Sequence, residues 1–220
     1  MLDSVFLCFD VICGYFCAMD SPSDLYLSIS GPAKGTYREL GSKFLAFAFP
    51  VETEAEVKKI VADIRKEYFD ARHHCYAYRL GADGSKWRAN DDGEPSSTAG
   101  KPIHGQLLSN SLSDILIVVV RYFGGTKLGV PGLIRAYRTA AQEAIAASTV
   151  IEKIASERFR VEFDYLQMNS VMKVMKEMGL APSGQEYGEK CSLYVRVRLT
   201  AADAFRAALA DFAEVTVSAE

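Results

Sequence analysis

Cysteine is sparse and unpatterned in this chain of 220 residues. The five cysteines are odd in number and form no Cys-x-x-Cys pair, which excludes a disulfide scaffold and the usual zinc ribbons. Cys75 and Cys191 stand alone inside apolar runs. That is the usage of a reducing compartment, and the chain reads as cytoplasmic. Histidine is scarcer still: His73, His74 and His104 only. His73 and His74 are adjacent on a segment with strand character, so only one of them can line a given pocket. A metal site would need that one, His104 and an acid to converge. The spacing reads instead as partly buried, hydrogen-bonded histidines, and neither a metal nor a cofactor is required. No apolar run approaches the roughly 20 residues that span a bilayer. A positive surplus is missing too, with 25 Lys+Arg against 28 Asp+Glu. Indiscriminate nucleic-acid binding is thereby excluded, and any such contact must come from a local patch.

The charge is unevenly divided. Residues 1–23 carry three acids and no bases, residues 24–150 carry 16 bases against 14 acids, and residues 151–220 carry 9 against 11. Residues 1–18 are apolar but interrupted by Asp3 and Asp10, without the basic start of a signal peptide. Translation is expected to begin at Met19, which makes residues 1–23 a non-native or disordered extension.

What is present is periodic. Gly35 to Leu40 reads as an edge strand. Lys43 to Phe49 is a second strand, with Leu45, Phe47 and Phe49 on one face and Phe44, Ala46 and Ala48 on the other. Thr53 and Glu56 form a capping box, and Val57, Ile60, Val61 and Ile64 follow at helical spacing. His73 to Leu80 is a strand, Gly81 to Gly84 a turn, and Trp87 lies on a hairpin partner. A helix runs through Ile103 and Leu107. Ile115 to Val120 is six consecutive apolar residues, the pattern of a strand buried on both faces. A helix from about Pro131 turns Val130, Leu133, Tyr137, Ala141 and Ala144 inward. Beyond Thr149–Ile154 the order becomes βαββαβ, with Asp164 capping the first helix and Thr200 with Asp203 the second. The fold class is therefore α+β, with units at residues 24–150 and 151–220.

Two segments are too rich in special residues to be filler. The first is Arg88-Ala-Asn-Asp-Asp-Gly-Glu-Pro-Ser-Ser-Thr-Ala-Gly-Lys-Pro102. Its clustered carboxylates Asp91, Asp92 and Glu94 suit acid–base work or cation binding, or equally a solvated turn in which Ser96, Ser97 or Thr98 caps the next helix. The second runs Val118-Val-Val-Arg-Tyr-Phe-Gly-Gly-Thr-Lys-Leu-Gly-Val-Pro-Gly-Leu-Ile-Arg-Ala-Tyr137. A strand emptying through Gly124, Gly125, Thr126 and Lys127 into a helix start at Gly129 suits an anion, with Arg121 or Lys127 adding charge. It equally suits a tight turn that needs glycine.

Asp91 to Pro102 together with Val119 to Gly129 closely resembles the signature of the IMPACT/YigZ family. Arg72-His-His-Cys-Tyr-Ala-Tyr78 and Tyr37 to Lys43 fit the same family. The resemblance covers about residues 24–150, and family members usually begin near Met19 here. It implies a ribosomal-protein-S5-domain-2-like α/β sandwich, followed by a ferredoxin-like βαββαβ domain that looks like the last domain of elongation factor G. It also implies a translation- or RNA-associated binding protein, with RNA or the ribosome as partner and no membrane. Eukaryotic members regulate the general-control translational kinase through an extra N-terminal domain absent here, and no catalytic residue carries over.

Three expectations follow. The Gly124-to-Gly132 loop holds an anion. Arg88, Asp91, Asp92 and Glu94, with Ser96, Ser97, Thr98 and Lys101 on the same loop, lie beside it as one site; a different reading makes Asp91, Asp92, Glu94 and Lys127 an enzyme site for a small phosphorylated or peptide ligand. Finally, alternation in the C-terminal sheet puts Arg158, Arg160, Tyr194, Arg196 and Arg198 on its helix-free face. That face suits nucleic acid, or else is solvated or packed, with Glu162 paired to an arginine.

Overall fold

The computed structural model describes residues 24–219. The expected extension, residues 1–23, lies outside them. The alternating run at residues 43–49 becomes β3 (Ser42–Pro50), paired with the edge strand β2 (Ala33–Glu39). The apolar run becomes β6 (Ile115–Tyr122), the middle strand of a five-stranded sheet. With β4 (His73–Leu80) and β5 (Lys86–Asn90) the order is β2-β3-β6-β4-β5, and every neighbouring pair is antiparallel. Both faces of β6 are covered, which is why its residues are apolar without alternation. On one face α2 (Gly100–Ser109) and α3 (Gly129–Ala146) pack against Phe44, Ala46, Cys75, Ile117 and Val119. On the other face α1 (Glu54–Glu67) sets Val57, Val61 and Ile64 on Phe47, Tyr78, Leu116 and Val118.

The Thr53 hydroxyl accepts from the Glu56 N–H at 3.2 Å. Glu56 reaches back one residue further than the capping box requires, accepting the Glu52 N–H at 2.8 Å. Helix α3 begins two residues before Pro131, and Val130 is half exposed rather than inward.

Sequence reading missed one pairing. β1 (Leu25–Ile29) and β7 (Val150–Ile154) form a two-stranded antiparallel sheet. Neither alternates hydrophobicity clearly, so no periodicity marked them.

Beyond β7 come β8 (Ser156–Phe163), α4 (Met168–Glu177), β9 (Ser183–Tyr187), β10 (Cys191–Arg198), α5 (Ala202–Ala210) and β11 (Thr216–Ala219). Their antiparallel sheet has the order β11-β8-β10-β9, so β8 and β10 are the central neighbours expected of a βαββαβ unit. Phe159, Val161, Phe163, Leu193, Val195 and Val197 close a core with Val171, Met175, Phe205 and Leu209. The two expected caps differ. Asp164 precedes a 3-10 turn and makes no capping side-chain bond. Thr200 instead bonds Asp24, through its N–H at 2.8 Å and its hydroxyl at 2.5 Å, because the residue that precedes β1 lies beside the start of α5.

Candidate functional site

The first motif turns on a left-handed pair, Asp92 at φ 40° and Gly93 at φ 84°. The Glu94 N–H closes the turn on the Asp91 carbonyl at 2.9 Å, and Asn90 Oδ1 accepts the Asp92 N–H at 2.8 Å. Asp-Gly is the dipeptide that takes such a turn without strain. Its three carboxylates leave in three directions. Asp91 accepts the N–H groups of Ser97 (2.8 Å), Ala99 (3.0 Å) and Gly100 (2.8 Å), and so caps α2. Asp92 accepts the His74 N–H at 2.7 Å and pairs with Arg65 on α1 at 2.5 Å. Only Glu94 turns inward.

Glu94 Oε1 accepts from Arg121 Nη1 at 2.6 Å and from the Tyr137 hydroxyl at 2.8 Å, with His73 Nε2 at 3.9 Å. The Arg121 and Glu94 side chains are 6% and 4% exposed, so the pair is compensated by contact rather than by water. The Arg121 guanidinium lies 5.5 Å from the Phe44 ring centre and 5.7 Å from that of Phe123. Its Nε is buried without a partner. Burial, then neighbouring Cys75 and Glu94, push the Tyr137 hydroxyl far above the usual phenol range, which keeps it a donor. Burial likewise pushes the Cys75 thiol well up, so it is no thiolate nucleophile at neutral pH. The thiol donates to the Asp91 carbonyl at 3.0 Å.

Above this neutralised floor opens a cleft of about 460 Å³. Its rim carries the exposed cations Arg72 and Lys127, with Phe123 47% and Val130 51% exposed. Gly129 opens α3 onto the cleft; that helix has no side-chain cap and no acid in its first turn. Its leading N–H groups are available to an anion. The loop is held from below, where the Gly124 N–H donates to Ser42 Oγ at 3.2 Å. A Cβ on Gly124 would fall 1.9 Å from the Gly41 carbonyl carbon, so here glycine serves close backbone packing. Thr126 and Gly125 are exposed.

The expected single site is therefore smaller than the sequence suggested. Glu94, Arg121, Lys127 and Gly129 share the cleft. Asp91 and Asp92 are spent on α2 and α1. Arg88 points to the α1 side of the sheet, because its register partner Tyr78 does. Nor do Ser96, Ser97 and Thr98 cap α2: Ser97 adopts φ 65°, and the Thr98 hydroxyl donates to the Pro95 carbonyl at 2.6 Å. Lys101 lies apart, in a shallow depression with Ser97, Gln106 and Arg138. Of the two adjacent histidines it is His73 that lines the cleft, whereas Arg72 beside it and Phe123 within the second motif went unread as site residues.

His73 and His74 diverge as alternation requires. His73 Nδ1 lies 2.8 Å from the Asp92 carbonyl oxygen, and His74 Nε2 lies 3.0 Å from that of Tyr68. His104 departs from the expected hydrogen bonding: its Nε2 is buried and unpartnered, and its ring stacks on Trp87 at 4.3 Å. Among the described residues no three His, Cys, Asp or Glu side chains gather as a metal cluster. No described helix is long and apolar enough to cross a membrane.

On the C-terminal sheet Tyr194 stands opposite Arg160, and Arg196 opposite Arg158. Two of the cations there have partners. Arg160 pairs with Glu162 at 2.8 Å, and Arg158 covers the Tyr194 ring at 4.2 Å. Arg196 lines a cleft with Glu52, Asp114 and Lys153, while Arg198 is exposed.

A family model described as the Impact N-terminal domain matches residues 40–145. The chain is 34% identical over 175 residues to the IMPACT family member YigZ of Escherichia coli strain K12, covering 78% of this chain and 85% of that one. It is 34% identical over 164 residues to the IMPACT family member YvyE of Bacillus subtilis strain 168, covering 74% and 76%. The crystal structure of a hypothetical protein superposes with a TM-score of 0.69 at 30% identity, over 89% of this chain and 97% of that one. On these matches, the chain belongs to the IMPACT family.

Proposed function

We propose that this protein is a translation-associated RNA-binding factor, and that the cleft between the Asp91–Pro95 turn and the start of α3 holds a single-stranded RNA segment. The observation that carries the reading is the rim: two exposed cations, an exposed phenylalanine and uncapped helix N–H groups surround a floor whose charges already cancel. Lys127 and Arg72 supply phosphate contacts, and Phe123 supplies a face on which a base stacks. An enzymatic reading at Asp91, Asp92, Glu94 and Lys127 lacks a second carboxylate in this cleft. The unit at 24–150 carries the site, and the unit at 151–220 is the second domain. Its open face is a weaker candidate, since Arg158 already occupies the Tyr194 ring. A reducing cytoplasm suits the free thiols of Cys75 and Cys191.

The test is fluorescence anisotropy with a short single-stranded RNA across a salt series, beside co-sedimentation with ribosomes. Lys127→Gln and Arg72→Gln should each lower the log–log salt slope by about 0.7. Phe123→Ala should cost about 1–3 kcal/mol of affinity. Binding that all three variants leave intact would overturn the assignment of the cleft.

A further inference from the structure

The two faces of the five-stranded sheet are unequally covered. Helices α2 and α3 share one face, whereas α1 alone covers the other. Five strands about 4.8 Å apart are wider than one helix of about 10 Å. Packed over β3, β6 and β4, α1 leaves β5 bare on that side. The cleft that results measures about 310 Å³, at the small end of the roughly 300–1,000 Å³ range for small-molecule sites.

Register decides what enters it. Arg88 faces Tyr78 and Asn90 faces Tyr76 across β4 and β5, so all four side chains point towards α1. Val57 and Val61 make an apolar floor, and Lys58 adds a second cation from α1. Arg65 at the edge is committed to Asp92. Glu54 accepts the Tyr78 hydroxyl at 2.8 Å, and among the described residues Lys58 and Arg88 have no ion-pair or hydrogen-bond partner. Asn90 uses its Oδ1 on the Asp92 N–H and keeps its amide donors. Two available cations, an amide donor and a half-buried tyrosine therefore stand around a small apolar floor.

We infer that this cleft between α1 and β5 is a second ligand site, distinct from the RNA cleft, for a mononucleotide-sized phosphate ester. Arg88 and Lys58 hold the phosphate. The valine floor and Tyr76 take the flat apolar body, and Asn90 donates to it. Phosphate alone would gain only the cations, so the body must add affinity.

The full chain is titrated calorimetrically with inorganic phosphate and with AMP, and the single tryptophan, Trp87, next to Arg88 on β5, gives an independent fluorescence readout. AMP should bind at least tenfold more tightly than phosphate. Arg88→Gln and Lys58→Gln, both exposed positions that should fold normally, should each weaken AMP about tenfold. Lys127→Gln in the other cleft should leave AMP binding unchanged while weakening RNA. A 5′-phosphorylated RNA that displaces AMP through Arg88 would make an RNA end the source of the ester; failure to displace it leaves the free nucleotide. No AMP binding, AMP no tighter than phosphate, or AMP lost with Lys127→Gln but kept with Arg88→Gln would overturn the inference. The last pattern would move the ligand to the other cleft without refuting RNA binding there.

Discussion

Glu94 and Tyr137 lie 43 residues apart in the chain, and the tyrosine hydroxyl donates to the carboxylate at 2.8 Å. Through that contact and the Arg121 pair, the first motif is tied to α3 beneath the cleft. Glu94→Ala leaves Arg121 buried and uncompensated and should cost roughly 3–5 kcal/mol in urea unfolding. Tyr137→Phe should cost about 1–2 kcal/mol, since Arg121 still balances the carboxylate. A Glu94→Ala variant as stable as the parent would show that the floor is solvated.

Asp91 stabilises the start of α2, not a ligand. Asp91→Ala should cost about 2 kcal/mol. Amide hydrogen exchange at Ala99 and Gly100 should accelerate while the central strand β6 stays protected, and uniform acceleration would contradict a local cap.

Gly124 is set by the backbone of Gly41 beneath it. Gly124→Ala should cost about 1–3 kcal/mol in thermal unfolding, because the clash is with main chain and no side chain can step aside. Gly31→Ala, where a Cβ meets nothing within 4 Å, should change stability by less than about 0.5 kcal/mol. Equal effects at the two positions would refute the packing argument.

His104 should make stability fall on acidification. Burial, then the nearby Arg79 charge, hold its pKa below the ordinary 6.5. The unfolded chain therefore binds the proton first. Stability is fully present above 6.5 and is lost as pH falls through the lower folded value. Urea unfolding over that range should show the slope, and His104→Leu should flatten it. Protonation should also change the emission of Trp87, which stacks on the ring.

By itself the sequence determined the α+β class, the faces of β3 and β6, the helix at residues 54–67 and the central pairing of β8 with β10. Those features rest on periodicity, which is written locally: a residue's neighbours two or four positions away fix its face. It also marked both motifs, because a left-handed turn and a backbone close approach demand glycine wherever they fall. Family membership was legible for the same reason. Tertiary structure alone decided where each charge in those motifs points. Asp91, Asp92 and Glu94 span four residues and serve α2, α1 and the cleft respectively. A turn's direction depends on which helix supplies its partner, and α1 and α3 are distant in sequence. The pairing of β1 with β7, the cover of Arg158 over Tyr194 and the bare side of β5 are of the same kind. Each follows from how widths, ends and registers meet in space, and no local pattern records that.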